Sequence, residues 1–380
     1  MHDITKSYDY KEQIDLVILD FSKAFDTVPH RKLLHKLSHY GIRGNINLWI
    51  RNFLMHRKQR VVIDGISSSP CTVDSGVPQG TVLGPLLFLC HINDLPNCVK
   101  SQVRLFADDC LLYRTIKCWN DHLNLQRDLD SLQKLANTWG MQFNATKCYV
   151  MTIHRKKLPS IFKYSLNHHI LEQVDENPYL GVIINANLKW STHISKICNR
   201  ANSILGFIRR NLKHSSESFK ETAYSSLVRS ILEYSCTVWD PYLQKDIILL
   251  ESVQRRAARL VKNNYNNKSS VTEMMNSLGW KPLAERRREL RLTLLFKILN
   301  DLVVLPTDPL DLYLNQRKQR KSNSKALNNI HCNTDIFKNS FVPKTIKDWN
   351  SLADQCVTAK SLSQFKSELS ILNPISAQRD

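Results

Sequence analysis

Three aspartates have the residue type and spacing to perform phosphate chemistry in this 380-residue chain. Asp108 and Asp109 are adjacent in the segment VRLFADDCLLYR, and Asp20 directly follows an apolar run at residues 16–19. Carboxylates that lie close together repel one another, and at least one of them then tends to hold its proton. Mg²⁺, a hard cation that prefers oxygen ligands and phosphate co-ligands, relieves that repulsion. An isolated pair of aspartates more often marks only a turn, so the chemistry depends on whether the fold brings Asp20 beside them.

Two predicted elements position these carboxylates. Val103, Leu105 and Ala107 alternate with Arg104 and Phe106, and apolar residues return at 111–113, which predicts a half-buried β-hairpin with Asp108 and Asp109 at its tip. The apolar run at 16–19 predicts a buried strand that ends at Asp20. If this strand and the hairpin are neighbours in one sheet, Asp20 and Asp108 come together.

A glycine-rich segment, SGVPQGTVLG at residues 75–84, lies between the two carboxylate segments. Glycine lets the backbone approach a ligand closely, and proline fixes a turn. Pro85 is predicted to begin a helix that buries Leu86, Leu87 and Leu89. The position of this loop between the two carboxylate segments indicates that it contributes to the same site.

Four segments in this order, LDFSKAFD, SGVPQG, FADD and YLGV, resemble motifs A, B, C and E of the reverse transcriptase palm. They are most similar to those of non-LTR retrotransposons (LINE elements) of the jockey-like type. The resemblance covers nearly the whole chain and is closer up to residue 185. It implies an α+β fold: a right-hand polymerase palm with a small antiparallel sheet and packed helices, then a helical thumb and a mostly helical C-terminal region. The implied domains are 1–185 (palm, motifs A to E, with the fingers largely missing), 186–262 (thumb-like) and 263–380 (helical and basic).

The resemblance implies an RNA-directed DNA polymerase that adds deoxynucleotides to a primer 3′-hydroxyl. Two Mg²⁺ ions, or Mn²⁺, would be held by Asp20, Asp108 and Asp109, with the backbone carbonyl of Phe21 as a further oxygen. Lys147, in a segment that resembles motif D, is the candidate proton donor to the leaving pyrophosphate. A surface lysine without a catalytic role is the alternative for Lys147.

Other positions carry implied binding roles. Phe25 corresponds to the bulky residue under the sugar of the incoming nucleotide, where it would clash with a 2′-hydroxyl; core packing is the alternative. Gln79 and Gly80 correspond to positions that border the nucleotide and the templating base. The primer grip would consist of Tyr179, Leu180 and Gly181, within a strand predicted at residues 177–185; a core strand is the alternative.

Apolar spacing predicts helices after residue 191, which the resemblance assigns to the thumb. One segment has an apolar face made of Phe219, Ala223, Leu227, Ile231 and Leu232. In the next segment, Ile248, Leu249, Val253, Ala257 and Leu260 are predicted to face inward. Arg255, Arg256 and Arg259 then face outward, where arginine suits contact with nucleic-acid phosphates. A second basic stretch, at residues 286–291, is predicted to serve the same purpose, and residues 315–329 are predicted to be a linker or a mobile loop.

Composition agrees with a nucleic-acid-binding protein. There are 53 Lys and Arg residues against 34 Asp and Glu, a net charge of +19, which favours a polyanionic partner. The ten cysteines show no metal-site spacing and are predicted to be free thiols. No run of about 18 apolar residues is present, so no membrane partner is expected. The resemblance implies an RNA template, a DNA primer or target and deoxynucleoside triphosphates as partners, and an intracellular, nuclear location.

Two other functions remain open from the sequence. The chain has about a dozen residues before motif A, where the resembled polymerases carry a fingers subdomain and, further upstream, an endonuclease. It is therefore expected to be a fragment of a longer element protein that includes those upstream regions. A catalytically inactive, polymerase-like fragment that binds nucleic acid is the first alternative. A group II intron maturase is the second, and the jockey-like C-terminal segments argue against it.

Overall fold

The structure is a computed structural model that describes residues 1–303, 305 and 323–372. The chain divides into two compact units, Lys11–Gly181 and a second unit that combines Met1–Tyr10 with Val182–Asp380. The three-part division at residues 185 and 262 stays a prediction. Of the predicted linker, residues 315–322 lie outside the described residues.

Most strands have two to four residues, and only four strands of the main sheet are longer among the described residues. Within the described residues they are β1 (Gln13–Leu19), β2 (Lys58–Gln59), β3 (Val62–Ile63), β4 (Ile66–Ser67), β5 (Cys71–Thr72), β6 (Gln102–Phe106), β7 (Asp109–Ile116), β8 (Tyr149–Ile153), β9 (Ser165–Leu166), β10 (His169–Ile170), β11 (Glu172–Gln173), β12 (Glu176–Tyr179) and β13 (Val182–Asn185).

Helices make up most of the second unit. Within the described residues the α-helices are α1 (His2–Asp9), α2 (Ala24–Thr27), α3 (His30–His39), α4 (Gly44–Leu54), α5 (Leu83–Ile92), α6 (Trp119–Trp139), α7 (Ser191–Asn211), α8 (Glu217–Ala223), α9 (Ser230–Glu233), α10 (Cys236–Trp239), α11 (Gln244–Val261), α12 (Val271–Ser277), α13 (Leu283–Leu299), α14 (Asp335–Lys338), α15 (Phe341–Asn350), α16 (Asp354–Val357) and α17 (Leu362–Leu372). Short 3₁₀ helices span Leu95–Cys98 and Ala145–Lys147, and a π-helix spans Tyr224–Arg229.

The first unit is built on a sheet with the strand order β11-β8-β1-β7-β6. Every residue of β1 is buried, as expected for a central strand with a continuous apolar run. β1 pairs antiparallel with both β7 and β8, and only the short β8–β11 pair is parallel. The structure therefore confirms the predicted strand before Asp20 and the α+β class with a small, mainly antiparallel sheet.

The predicted hairpin at residues 103–114 is also present, formed by β6 and β7. Its last pair is Phe106 with Asp109, so Ala107 and Asp108 form the turn. Ala107 has a φ of +49°, a left-handed conformation that residues other than glycine seldom adopt. Such strain is often stored where a side chain must be aimed at a functional site.

Helix α5 begins at Leu83 rather than at Pro85, and its buried face differs from the predicted one. Leu87 and Phe88 are buried, whereas Leu86 is 55% exposed and Leu89 is 46% exposed. The prediction that Leu86 and Leu89 are buried is wrong, because in a helix this rich in leucine the apolar pattern does not identify which side faces the core.

The second unit has two apolar cores. One includes buried residues of α7, α11 and α12, and the other joins α13, α15 and α17. The π-helix at Tyr224–Arg229 changes the phase of the segment after α8, so Tyr224, Val228 and Leu232 are buried while Leu227 is exposed. Phe219, which precedes the π-helix on α8, is exposed as well. The predicted inward positions of Phe219 and Leu227 are therefore wrong. Ile248, predicted to face inward on α11, is exposed as well.

Two arginines of the second basic stretch are buried and cannot form a surface for phosphate contact, contrary to the prediction. Arg287 and Arg291 are 0% and 2% exposed. Their Nε atoms lie 2.8 and 2.9 Å from the carboxylate of Asp240, which Lys344 also contacts at 2.7 Å. These arginines hold α13 to the residue that follows α10.

The cysteines and the length of the apolar helices are the remaining subjects of prediction. All ten cysteines are free in the structure. No helix within residues 1–303, 305 and 323–372 is long and apolar enough to cross a membrane.

Candidate active site

The three aspartates lie at one end of the central strand pair. Leu19 of β1 pairs with Cys110 of β7, and this register places Asp20 opposite Asp109. Asp108 precedes Asp109 in the turn of the β6–β7 hairpin. The fold thus brings together two carboxylate segments that are far apart in the sequence.

The charges of these side chains influence one another. Burial and then the Asp108 charge raise the pKa of Asp109, and the Asp20 charge raises it further. The pKa of Asp20 is also raised, chiefly by burial, with the Asp108 charge acting in the same direction and the nearby Lys147 ammonium opposing it. All three side chains are only partly buried. The site is therefore a group of mutually repelling carboxylates that remains open to solvent.

Lys147 is held beside Asp20 by backbone contacts. The amide of Asn144 donates to the carbonyl of Asp20 at 2.8 Å, and the 3₁₀ helix Ala145–Lys147 follows directly. The rings of Phe21 and Phe143 stack with centroids 4.2 Å apart. The structure thus places the Lys147 segment against the end of β1, and the Lys147 side chain is exposed.

The glycine-rich segment is bonded to the backbone just after Asp20. The amide of Gly76 donates to the carbonyl of Val28 at 2.8 Å, and that of Val77 donates to the carbonyl of Phe25 at 2.7 Å. The side-chain amide of Gln79 donates to the Asp26 carboxylate at 3.0 Å. Loop and helix α2 therefore form one structural unit, next to the exposed, positive-φ Gly80.

Phe25 is partly buried, and its ring stacks on Phe88 of α5 with centroids 4.4 Å apart. A cavity of about 610 Å³ lies alongside, lined by α2, the glycine-rich segment and the β2–β5 strand pair. Its lining includes the cations Lys23, Arg57 and Lys58. The packing of Phe25 is compatible both with a core residue and with a residue under the sugar of the nucleotide, and the sugar-binding role stays a prediction.

The predicted primer-grip residues lie at a turn and not within a continuous strand. β12 ends at Tyr179, and Leu180 and Gly181 have φ values of +48° and +78° before β13 begins. The prediction of one strand over 177–185 is therefore wrong. Burial, with the charge of Asp109 second, raises the pKa of Tyr179 to about 12, which places this tyrosine near the aspartates.

The thumb-like arginines belong to α11, in the second unit. Arg255 and Arg256 are exposed, and Arg259 is partly exposed, as predicted for a face that contacts phosphate. Arg256 donates to the side chain of Asn202 at 2.8 Å, and Arg259 donates to the carbonyl of Asn266 at 2.8 Å. The exposed Arg255 makes no such bond to the described residues, so it is the most available of the three for a ligand.

In the described parts of the chain, the present side-chain positions form no group of three His, Cys, Asp or Glu residues that could bind a metal ion. The donor chemistry of the site still fits a hard divalent cation. Asp20 and Asp109 both have a raised pKa, to which the Asp108 charge contributes. Carboxylate oxygens are the ligands that Mg²⁺ and Mn²⁺ prefer.

His30, which the sequence analysis did not single out, belongs to the same site. Its Nε2 lies 2.8 Å from the carbonyl oxygen of Gly76. A signal was available, because His30 precedes Leu33 and Leu37 by three and seven positions and so shares their buried helix face. A polar residue on a buried face needs a partner, and Gly76 is that partner.

Comparisons with known proteins agree with this geometry. Residues 4–184 match the family described as reverse transcriptase (RNA-dependent DNA polymerase). The probable RNA-directed DNA polymerase from transposon X-element of Drosophila melanogaster is 28% identical over 272 residues, which cover 68% of this chain and 29% of that protein. The RNA-directed DNA polymerase from mobile element jockey of Drosophila funebris is 32% identical over 198 residues, which cover 49% of this chain and 21% of that protein. The chain thus spans less than a third of the length of these relatives.

A solved structure of apo telomerase from Candida tropicalis is also similar. It aligns with 81% of this chain and 54% of that chain, at 11% identity and a TM-score of 0.42. This likeness is too distant to transfer a function.

Proposed function

Because residues 4–184 of this chain belong to the reverse transcriptase family, we propose that the chain is the RNA-directed DNA polymerase part of a jockey-like non-LTR retrotransposon protein. The observation that carries this proposal is the placement of Asp20 opposite Asp109, with Asp108 in the adjoining turn. The reaction is the template-directed transfer of a deoxynucleotide to a primer 3′-hydroxyl, with release of pyrophosphate.

The carboxylates of Asp20, Asp108 and Asp109, with the backbone carbonyl of Phe21, would hold a pair of Mg²⁺ ions. When bound, such ions supply Lewis-acid stabilisation of charge on the reacting phosphate. Lys147 is the proton donor to the leaving pyrophosphate in this scheme. Its position beside Asp20 supports that role, since the Lys147 charge counteracts the rise in the Asp20 pKa.

Binding residues surround this centre in the proposal. Gln79 and Gly80 border the nucleotide, and Phe25 excludes a 2′-hydroxyl from the sugar position. The turn at Tyr179, Leu180 and Gly181 holds the primer end. The raised pKa of Tyr179, due first to burial and then to the Asp109 charge, supports that location. Their contribution is to orient the reactants, which lowers the barrier by avoiding the entropy of alignment.

The proposed partners are an RNA template, a DNA primer or target and deoxynucleoside triphosphates. The net charge of +19 favours polyanionic partners, and exposed Arg255, Arg256 and partly exposed Arg259 offer phosphate contacts on α11. Endonuclease and fingers regions of a longer element protein are proposed as further partners, and the proposed location is the nucleus.

Primer extension by the purified chain tests this function. The reaction contains an RNA template, a DNA primer, deoxynucleotides and Mg²⁺, and it compares the wild type with Asp108→Asn. Asp130→Asn, an exposed position on α6, is the matched control for the same chemical change. We expect extension by the wild type and the control, and none by Asp108→Asn.

Two results would argue against the assignment. Equal extension by Asp108→Asn would remove that carboxylate from the site. No extension by any of the three proteins, with primer–template binding intact, would favour the second candidate function, an inactive fragment that binds nucleic acid. This second candidate is retained because the described side chains, in their present positions, form no group of three metal ligands.

A further inference from the structure

His30 is the first residue of α3, and its side chain is only 5% exposed. Its Nε2 lies 2.8 Å from the carbonyl oxygen of Gly76 in the glycine-rich segment. A carbonyl oxygen can only accept a hydrogen bond, so Nε2 must carry the proton. The imidazole therefore acts as a fixed donor that connects α3 to the loop at residues 75–80.

Gly76 lies very close to the backbone of the segment after Asp20. Its φ is +87°, and a Cβ added there would lie 2.8 Å from the backbone of Asp26. The Gly76 amide donates to Val28 and its carbonyl accepts from His30, so both polar groups of this peptide segment are bonded to the region after Asp20. Glycine allows the approach, and His30 completes the hydrogen bonding that the approach requires.

The other side-chain hydrogen bonds of the loop are more exposed than the one from His30. Ser75 Oγ donates to the Asp26 carbonyl at 2.8 Å, and Gln79 Nε2 donates to the Asp26 carboxylate at 3.0 Å, both at exposed positions. Water can replace an exposed hydrogen bond, whereas a buried carbonyl that loses its donor remains unsatisfied. Among the side-chain bonds to this loop, the one from His30 is therefore expected to matter most.

We propose that His30 is a positioning residue that fixes the loop at residues 75–80 against α2 and thereby sets the affinity and selectivity for the incoming nucleotide. This inference rests on the proposed polymerase function. The loop carries Gln79 and Gly80, α2 carries Phe25, and the Val77 amide is bonded to the Phe25 carbonyl. By holding the loop, His30 keeps the two sides of the proposed nucleotide site in register, without touching the nucleotide itself.

Hydrogen exchange tests the hold on the loop without any need for catalysis. The full chain is compared with His30→Ala, which removes the donor, and His30→Gln, whose side-chain amide can replace it. His35→Ala is the matched control, because His35 is exposed on the same helix. We expect the Gly76 and Val77 amides to exchange about tenfold faster in His30→Ala, as expected for the loss of one buried hydrogen bond. The His30→Gln variant should exchange nearly as the wild type does.

Nucleotide kinetics test the consequence. We expect His30→Ala to raise the KM for deoxynucleotides about tenfold and to increase ribonucleotide incorporation, with primer–template affinity unchanged and with recovery in His30→Gln. Unchanged exchange at residues 76 and 77 would overturn the proposal, and so would faster exchange spread equally over β1 and α6. Faster loop exchange with unchanged KM and selectivity would overturn the role in nucleotide selection. If the wild type extends no primer, the proposed function fails, while the exchange measurement still decides whether His30 holds the loop.

Discussion

Replacing Asp109 with asparagine should stabilise the metal-free protein at neutral pH. Burial and the charges of Asp108 and Asp20 raise the pKa of Asp109, so its ionised form is held in an unfavourable place. When a carboxyl group has a higher pKa in the folded state than in the unfolded state, the folded protein becomes less stable as the pH rises through the folded-state pKa. An uncharged asparagine of the same shape removes that loss.

The size of the effect follows from the strand register. Side chains that face each other across an antiparallel pair have Cβ atoms roughly 5 Å apart. Two unit charges at that spacing repel by about 1 to 3 kcal/mol for an effective dielectric constant between 80 and 20. Asp20 and Asp109 are only partly buried, so solvent screening favours the lower limit. A gain of about 1 kcal/mol corresponds to a rise of about 2 to 4 °C in the melting temperature of a unit of this size.

Thermal unfolding in EDTA and in Mg²⁺ measures this effect. We expect Asp109→Asn to melt above the wild type in EDTA, and the gap to shrink as the pH is lowered from neutral. Mg²⁺ should stabilise the wild type and stabilise Asp109→Asn less, because the stabilisation by a bound ligand increases with the logarithm of its affinity for the folded state. Asp130→Asn should behave as the wild type in both. A lower melting temperature for Asp109→Asn in EDTA would refute the reasoning from repulsion.

Four further outcomes are expected. Lys147→Met should slow single-turnover incorporation, whereas Lys147→Arg should retain more of the rate; equal rates for both and the wild type would exclude the proton donor. Phe25→Val should increase ribonucleotide incorporation relative to deoxynucleotide incorporation, and an unchanged ratio would leave Phe25 as a core residue. Arg255→Ala should weaken primer–template binding and lower the slope of log affinity against log salt by about one, while an unchanged slope would remove that contact. Asp240→Asn should destabilise the protein by about 3 to 5 kcal/mol in urea unfolding, because it leaves buried cations without their counter-charge, and a loss under about 1 kcal/mol would contradict that.

The parts of the site that depend on strand order could be predicted from the sequence. The apolar run before Asp20 and the hairpin around Asp108 are local patterns, and the structure pairs them as neighbouring strands in antiparallel register. The placement of Lys147 came from the resemblance alone. Its contact with the end of β1 depends on a backbone bond between Asn144 and Asp20, which no local pattern shows.

Other features were not predictable because they depend on tertiary partners. A π-helical turn adds one residue per turn, and it moved Leu227 outward and Val228 inward. The arginines of α13 have the composition of a phosphate-binding surface, but in the interior Asp240 accepts a hydrogen bond from Arg287 and forms an ion pair with Arg291. A basic run therefore indicates a ligand surface only when its counter-charges are known.

The measurement that tests the central claim most directly is single-turnover incorporation of one complementary deoxynucleotide as Mg²⁺ is titrated. Wild type, Asp20→Asn and the control Asp130→Asn are compared on the same RNA template and DNA primer. We predict a rate that requires Mg²⁺ and the matching template base, and that falls by about 10²-fold or more in Asp20→Asn only. A rate for Asp20→Asn equal to that of the wild type would contradict the assignment of the three aspartates as the catalytic centre.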